Sequence, residues 1–469
     1  GFSCTIFVEH NRESQSMSKT YQPFEPDQLL LMPPSLQEWL PKDHLVYFLR
    51  DVLEQIDLSP IQDSYEREER GYPPYHPKMM TGLLLYGYAT GVRSSRHLAK
   101  HCQEDVAFRV LTANNQPDFR TISDFRKRHL EALHHVFVEI LRLCRAAGLV
   151  KFAHISLDGT KIKANASKHK AMSYGRMMSD EARLRQEIKA LLKEADRTDR
   201  REDRRYGAEK SGDELPEELA RRESRLAKIQ EAKRALEQQA RSDREKKDPP
   251  SAPPASKVPV ERDAKTGKER VADRAQRNFT DPDSRIMPYQ KTFAQGYNAQ
   301  IAVDKSHQII VATVVTNYPK DDRHLPCMLD RLGCKPTVST LDAGYRTPEN
   351  LKLLKRKKID AYVAMGRERH GAPRTQSVRG RPPKGLSIQE KMARKLLTKK
   401  GRAIYAQRKA IAEPPIGHIK HVLGFRQFSL RGHPKVSAEW SLISAVHNLK
   451  KLFTACLNNP RLRARMATA

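Results

Sequence analysis

Three things are scarce in these 469 residues: paired cysteines, long apolar runs and acidic side chains. The six cysteines, Cys4, Cys102, Cys144, Cys327, Cys334 and Cys456, form no Cys-x-x-Cys pair, which excludes zinc-finger spacing. Scattered thiols suit a reducing compartment and buried free cysteines, with a Cys327–Cys334 disulfide the less favoured alternative. No apolar run reaches the length of a membrane span and the mean hydropathy is −0.71, so no membrane partner is expected. Asp and Glu number 56 against 86 Lys and Arg, a net charge of +30. That excess, with a pI near 9.9, points to a polyanionic partner. Charge alone does not separate DNA from RNA or from an anionic membrane.

The chain opens on Gly1, and residues 1–16 have neither the basic start nor the apolar centre of a signal peptide. The expectation is a natural start at Met17 preceded by a non-native leader over 1–16. Residues 22–42 are punctuated by Pro23, Pro26, Pro33, Pro34 and Pro41 and read as an extended arm or short helices. Pro77 to Tyr88 starts with a proline and is apolar nearly all round, the pattern of a buried helix. Serines at 94 and 95 cap the next one. Thr121 and Asp124 form a capping-box pattern, and Ile122, Phe125, His129, Leu133, Val136, Ile140 and Cys144 then step by helical spacing to Gly148. This predicts one long amphipathic helix whose basic start carries Arg120, Arg126, Lys127 and Arg128. Residues 17–150 thus read as a helical DNA-binding domain, with a solvated basic face as the equally weighted alternative.

His154-Ile-Ser-Leu-Asp-Gly-Thr-Lys161 alternates apolar and polar residues and predicts a short strand with Asp158 at its end and a turn at Gly159. A carboxylate fixed there beside Lys161, Lys163 and Lys168 suits a metal ion and a phosphate together. Taken singly, such an Asp-Gly is more often a turn. Residues 179–247 then change to Glu, Arg, Lys, Ala and Leu. One stripe runs through Leu184, Ile188, Leu191 and Ala195, another through Leu219, Leu226, Ile229 and Leu236. Two helices broken around Gly207–Pro216 predict an antiparallel helical hairpin, or coiled coil, whose charges are mostly solvated. Residues 248–275, rich in Pro, Ser and charge, predict a mobile linker.

Gly296–Asp304 and Gln308–Thr316 are β-branched runs around a polar break, a hairpin. Val338–Leu341 is a third strand ending in Asp342-Ala-Gly, which repeats the strand-end Asp. Pro348 opens a helix, and Ala361–Met365 is the next strand. After a basic stretch over 366–400, Tyr405, Arg408 and either Ala412 or Glu413 share one helix face. A third carboxylate would then descend from a helix onto the strand ends carrying the first two.

On these residues the chain resembles the bacterial insertion-sequence transposases of the DDE type, in the group with a Tyr–Arg–Glu–Lys signature. Leu157-Asp158-Gly159-Thr160 matches the first acidic position and Leu341-Asp342-Ala-Gly-Tyr345 the second. Tyr405, Arg408, Glu413 and Lys420 match the third, with four residues between Arg408 and Glu413 where the signature has three. Pro117–Arg126 resembles the group as well, so the likeness covers most of 20–457. It implies an α/β ribonuclease-H-like catalytic domain over 151–178 and 278–460. The helical N-terminal domain precedes it, and the helical-hairpin insertion and linker over 179–277 interrupt it.

Phosphodiester transfer requires an oxygen nucleophile and charge relief at phosphorus. Two Mg²⁺ ions roughly 3.5–4 Å apart, or Mn²⁺ in their place, suit that task. Asp158 is assigned as the bridging ligand, with Asp342 and Glu413 completing the metal sites. Asp321 and Asp322 compete with Asp342, and Glu439 with Glu413, but they read as loop acids and a helix-start acid. Arg408 and Lys420 are assigned to DNA phosphates and Tyr405 to the strand end, with Arg126 and Arg128 as DNA contacts in the helical domain. His154 and His418 read as structural. The expectation is a cytoplasmic DNA transposase acting on double-stranded DNA, at least a homodimer, that cuts element ends and joins them to target DNA. The alternatives are a nuclease of the same fold and an inactive DNA-binding derivative.

Overall fold

In the computed structural model, residues 35–66, 73–206, 217–245, 249, 252–263, 267–290, 292–366 and 377–467 are described. The expected leader, most of the proline-rich arm and the break at 207–216 lie outside them. Among the described residues a 3₁₀ turn at Leu36–Trp39 leads into seven helices: α1 (Leu45–Gln55), α2 (Ser59–Glu66), α3 (Pro77–Thr90), α4 (Ser95–Glu104), α5 (Val106–Leu111), α6 (Phe119–Arg128) and α7 (Leu130–Ala146). α3 is buried along its length, as its sequence predicts. Pro77 fits its first turn, the His76 ring accepts the Lys78 N–H at 3.2 Å, and Gly91 ends it at φ +85°. The predicted long helix is two helices, broken at His129 (φ −108°, ψ 38°). The break turns the buried His129 ring onto Phe125 and Tyr65. The cap of α6 is Asp118, which accepts the Arg120 N–H at 2.8 Å, and not Thr121. Gly148, at φ +76°, closes α7 as expected.

The chain then enters β1 (His154–Lys163), β2 (Ala171–Ser173), α8 (Tyr174–Tyr206) and α9 (Glu217–Glu245). Three short strands follow: β3 (Val260–Arg262), β4 (Glu269–Val271) and β5 (Gln276–Asn278). The main sheet resumes with β6 (Arg285–Tyr289), β7 (Thr292–Asp304) and β8 (Ile310–Thr316). After these come α10 (Leu325–Arg331), β9 (Val338–Leu341), α11 (Pro348–Arg356), β10 (Asp360–Val363), α12 (Ile388–Leu397), α13 (Lys399–Gly417), α14 (His433–Asn458) and α15 (Arg461–Ala467). This is an α/β fold on a mixed six-stranded sheet.

The sheet order is β10-β9-β1-β7-β6, with β8 also paired to β7. β1 is parallel to β9 and antiparallel to β7. Ile155 faces Asp304 and Lys163 faces Gly296. Strands separated by more than a hundred residues of intervening chain are thus direct neighbours. β1 is longer than predicted. It runs straight through Asp158 and Gly159, so Asp158 is mid-strand and Gly159 makes no turn. Glycine is needed there for close approach: a Cβ would strike the Gln300 amide and lie 3.0 Å from Asp321 Oδ1.

α8 and α9 pack along one another. Met177, Leu184, Ile229 and Leu236 form a cluster apart from the main core. The stretch predicted as a mobile linker is partly ordered. β3 and β4 pair, and Val258 and Val271 join the cluster, because a Val-Pro-Val-Glu-Arg run can fold back on Lys-Glu-Arg-Val. α14 is buried through most of its length against α7 and β8. Cys102, Cys144, Cys327, Cys334 and Cys456 are free thiols.

Candidate active site

Three elements deliver the three sequence-predicted acids to one place. Asp158 comes from the middle of β1, where its carboxylate accepts the N–H of Gly159 at 2.8 Å. Asp342 follows directly on β9, which runs parallel to β1. Glu413 comes from α13, which crosses the sheet over β1, β7 and β9. All three point at the guanidinium of Arg408. Nη1 donates to Asp158 Oδ2 at 3.1 Å, while Nη2 stands 3.7 Å from Asp342 Oδ1 and 3.9 Å from Glu413 Oε1. Because Asp342 and Glu413 share one nitrogen, their carboxylates can be no further apart than those two distances together.

Helical geometry explains the unequal grip. Each residue turns an α-helix by about 100°, so Glu413, five residues after Arg408, is rotated roughly 140° from it. Ala412 is fully buried and occupies the inward position, while Glu413 is exposed and reaches back. Pro414 and Pro415 follow inside the helix, which ends in a π-helical turn, His418–Val422. That turn aims Lys420 at β1, where Nζ bonds Thr160 Oγ1 and donates to the Lys161 carbonyl at 3.2 Å. Tyr405 lies one turn before Arg408 and is half-buried.

Burial dominates the electrostatics. It pushes the Asp158 carboxyl up to about 6, with Arg408 pulling the other way and Asp342 and Asp321 adding to the rise. Burial lowers Lys420, with Arg426 and Lys161 adding to the effect.

The fourth acid is Asp321, which reads in the sequence as a loop residue. Its Oδ1 accepts from Lys161 at 3.2 Å and from the side-chain amides of Asn298 and Gln300 at 2.8 Å each. Burial alone would raise its pKa, but Lys161 and the amides outweigh burial and hold it below the usual carboxylate range. Tyr345 donates to Gln300 from the far side. The signal for this network was present: Asn298 and Gln300 are amides two residues apart in an otherwise apolar strand. Both are fully buried.

The other candidates separate clearly. Glu439 is buried and structural, accepting from Tyr88 at 2.8 Å and from the Ser429 and Leu430 N–H groups. His154 contacts Thr340 and His418 contacts His447. Arg126 is 5% exposed and donates to the Arg93 carbonyl at 2.9 Å, so it faces the interior of the helical region. Arg128 is exposed and lies over the Tyr65 ring.

Residues 34–128 match the family described as Transposase domain (DUF772), and residues 366–453 match the Transposase DDE domain. The second match contains Tyr405, Arg408, Glu413 and Lys420; Asp158 and Asp342 lie outside both. No curated protein and no solved structure matches the chain. A mixed α/β sheet with these two matches fits a DDE transposase. The two matches support an insertion-sequence DNA transposase of the DDE type, and DDE transposases use divalent metal ions.

The donor set fits such an ion. Asp158, Asp342 and Glu413 offer only carboxylate oxygens, the ligands a hard divalent cation prefers. Among the described residues no three His, Cys, Asp or Glu side chains stand close enough to share an ion as placed. The Arg408 guanidinium, a cation itself, stands among the three acids. Among the described residues no helix is long and apolar enough to cross a membrane.

Proposed function

We propose that this transposase binds the ends of its element as at least a homodimer, cuts the DNA strands and joins the freed 3′-hydroxyls to target DNA. The observation that carries this reading is the meeting of Asp158, Asp342 and Glu413, distant in sequence, around one guanidinium. These three acids would hold the divalent ions, two Mg²⁺ or Mn²⁺. The ions, when bound, supply activation of the attacking oxygen and charge relief on the phosphate.

The remaining roles fall to the chain's own side chains. Lys420, held beside Thr160 on β1, takes a phosphate oxygen close to the acids. Tyr405 stacks on or hydrogen-bonds the end of the DNA strand, and Arg408 completes the Tyr–Arg–Glu–Lys set. In the N-terminal part of the chain Arg128, at the end of α6, contacts the DNA backbone while Arg126 braces that helix. The catalytic unit is ribonuclease-H-like and comprises 151–178 and 278–460. Residues 179–277 interrupt it as a helical insertion. The pairing of β1 with β7 and the separate apolar cluster of α8 and α9 support that division. A cytoplasmic setting follows from the DNA substrate.

A strand-transfer assay on DNA carrying the element ends tests the reading. Joined products are expected with Mg²⁺. Cleavage without joining would make the chain a nuclease, and binding without cleavage an inactive derivative.

A further inference from the structure

We propose that Arg408 is an exchangeable counter-ion. It holds the three carboxylates together while no metal is bound, and leaves them when a divalent cation enters. This rests on the metal-site reading above and adds a step to it: metal entry and release of an arginine are one event.

The geometry carries the inference. One guanidinium touches every acid of the set. Within this cluster four carboxylates, Asp158, Asp342, Glu413 and Asp321, face two cations, Arg408 and Lys161. Lys161 is tied to Asp321 and feels Asp158 at longer range, so among the described residues Arg408 is the cation in ion-pair contact with the other three. A guanidinium cannot yield by losing its proton, so it can only move. A divalent ion bound to the same oxygens would stand within a few ångströms of it, where like charges in a partly buried site repel strongly.

The direction of exit is also built in. The Asp158 side chain is 16% exposed, Asp342 47% and Glu413 56%. The site opens on the side where Arg408 holds its acids most loosely. Once released, the guanidinium faces that opening, where a DNA phosphate would approach and could take it bidentately. Arg408 would therefore stabilise the empty site and the DNA-bound site by different contacts.

The test is Mn²⁺ binding to the full chain without DNA, by titration at neutral pH, alongside thermal unfolding. Arg408→Gln is expected to bind Mn²⁺ at least about tenfold tighter than wild type, since no cation need be expelled. Its Tm should fall in metal-free buffer and rise on adding Mn²⁺ by more than that of the wild type. Arg408→Lys, which keeps the charge and is the safer variant for folding, should bind with affinity between the two. Equal or weaker Mn²⁺ binding by both variants would overturn the exchange. Asp158→Asn separates this from the underlying reading. If it abolishes Mn²⁺ binding while the Arg408 variants do not tighten it, only the exchange is wrong. If it binds Mn²⁺ as wild type does, the metal site itself is misassigned.

Discussion

Lys161 and Asp321 are partners across the sheet, 3.2 Å apart, one on β1 and the other on the loop after β8. Asp321 also fills the space beside two glycines: a Cβ at Gly159 or Gly344 would lie 3.0 Å from it. The pair therefore fixes both strand segments that carry Asp158 and Asp342. Asp321→Asn keeps the hydrogen-bonding shape and removes the charge. Its expected cost in stability is about 1–3 kcal/mol, because Lys161 is left partly buried without its counter-charge. Cleavage should fall by at least about tenfold, with DNA affinity unchanged at matched salt. Unfolding curves, a gel-shift and a cleavage assay on the same DNA check all three.

Arg126 and Arg128 are two residues apart on α6 but differ in surroundings. Arg126→Ala removes a buried donor from the Arg93 carbonyl and should lower stability by about 1–3 kcal/mol. Arg128→Ala should leave stability within about 1 kcal/mol, weaken DNA binding and flatten its salt dependence by the loss of one phosphate contact. Opposite results, with Arg126→Ala affecting only DNA binding, would mean that α6 is turned the other way in solution.

His418 and His447 join the turn that ends α13 to α14, with their Nδ1 atoms 3.0 Å apart. His447 Nε2 lies 3.0 Å from the Gln308 carbonyl and so carries the proton, leaving its Nδ1 to accept from His418. Burial pushes His418 down to about 4 and His447 down to about 3, and Lys450 and Lys451 nearby add to the first, Lys451 to the second. Folded-state values below the ordinary one mean that the unfolded chain takes up protons first. Stability is whole above about pH 6.5 and is lost as pH falls towards 4, by a few kcal/mol in all. His447→Asn should flatten that acid limb in urea unfolding measured from pH 7 to 4.

Much of the strand and helix pattern was legible because it rests on local chemistry. Pro77 and Pro348 mark helix starts, and the β-branched runs before Asp304 and Thr316 mark a hairpin. The three acids could be named through the resemblance to the Tyr–Arg–Glu–Lys group, because local pattern places Asp342 after a strand but misplaces Asp158 at a strand end and leaves Ala412 and Glu413 open. What stayed hidden depends on contacts between distant segments. Gly159 reads as a turn because Asp-Gly commonly is one, and only the packed Gln300 and Asp321 explain a glycine inside a strand. Asp321 follows a proline in a loop, and nothing local says that Lys161, far back in the chain, will meet it. The inward face of Arg126 and the break at His129 likewise follow from neighbours brought by the connection before α4 and by α2, not from helical period.

The central claim is that Asp158 serves chemistry and not binding. Binding rests on many Lys and Arg residues through release of counterions, and loss of one acid leaves that intact. The most direct measurement compares wild type and Asp158→Ala on one end-bearing DNA at matched salt, by gel-shift and by cleavage with Mg²⁺. Each ~1.36 kcal/mol lost from transition-state stabilisation is about tenfold in rate, so cleavage and joining should fall by several orders of magnitude. DNA affinity should stay within about twofold of wild type. Cleavage by Asp158→Ala at the wild-type rate would contradict the proposed site, however well the protein bound DNA.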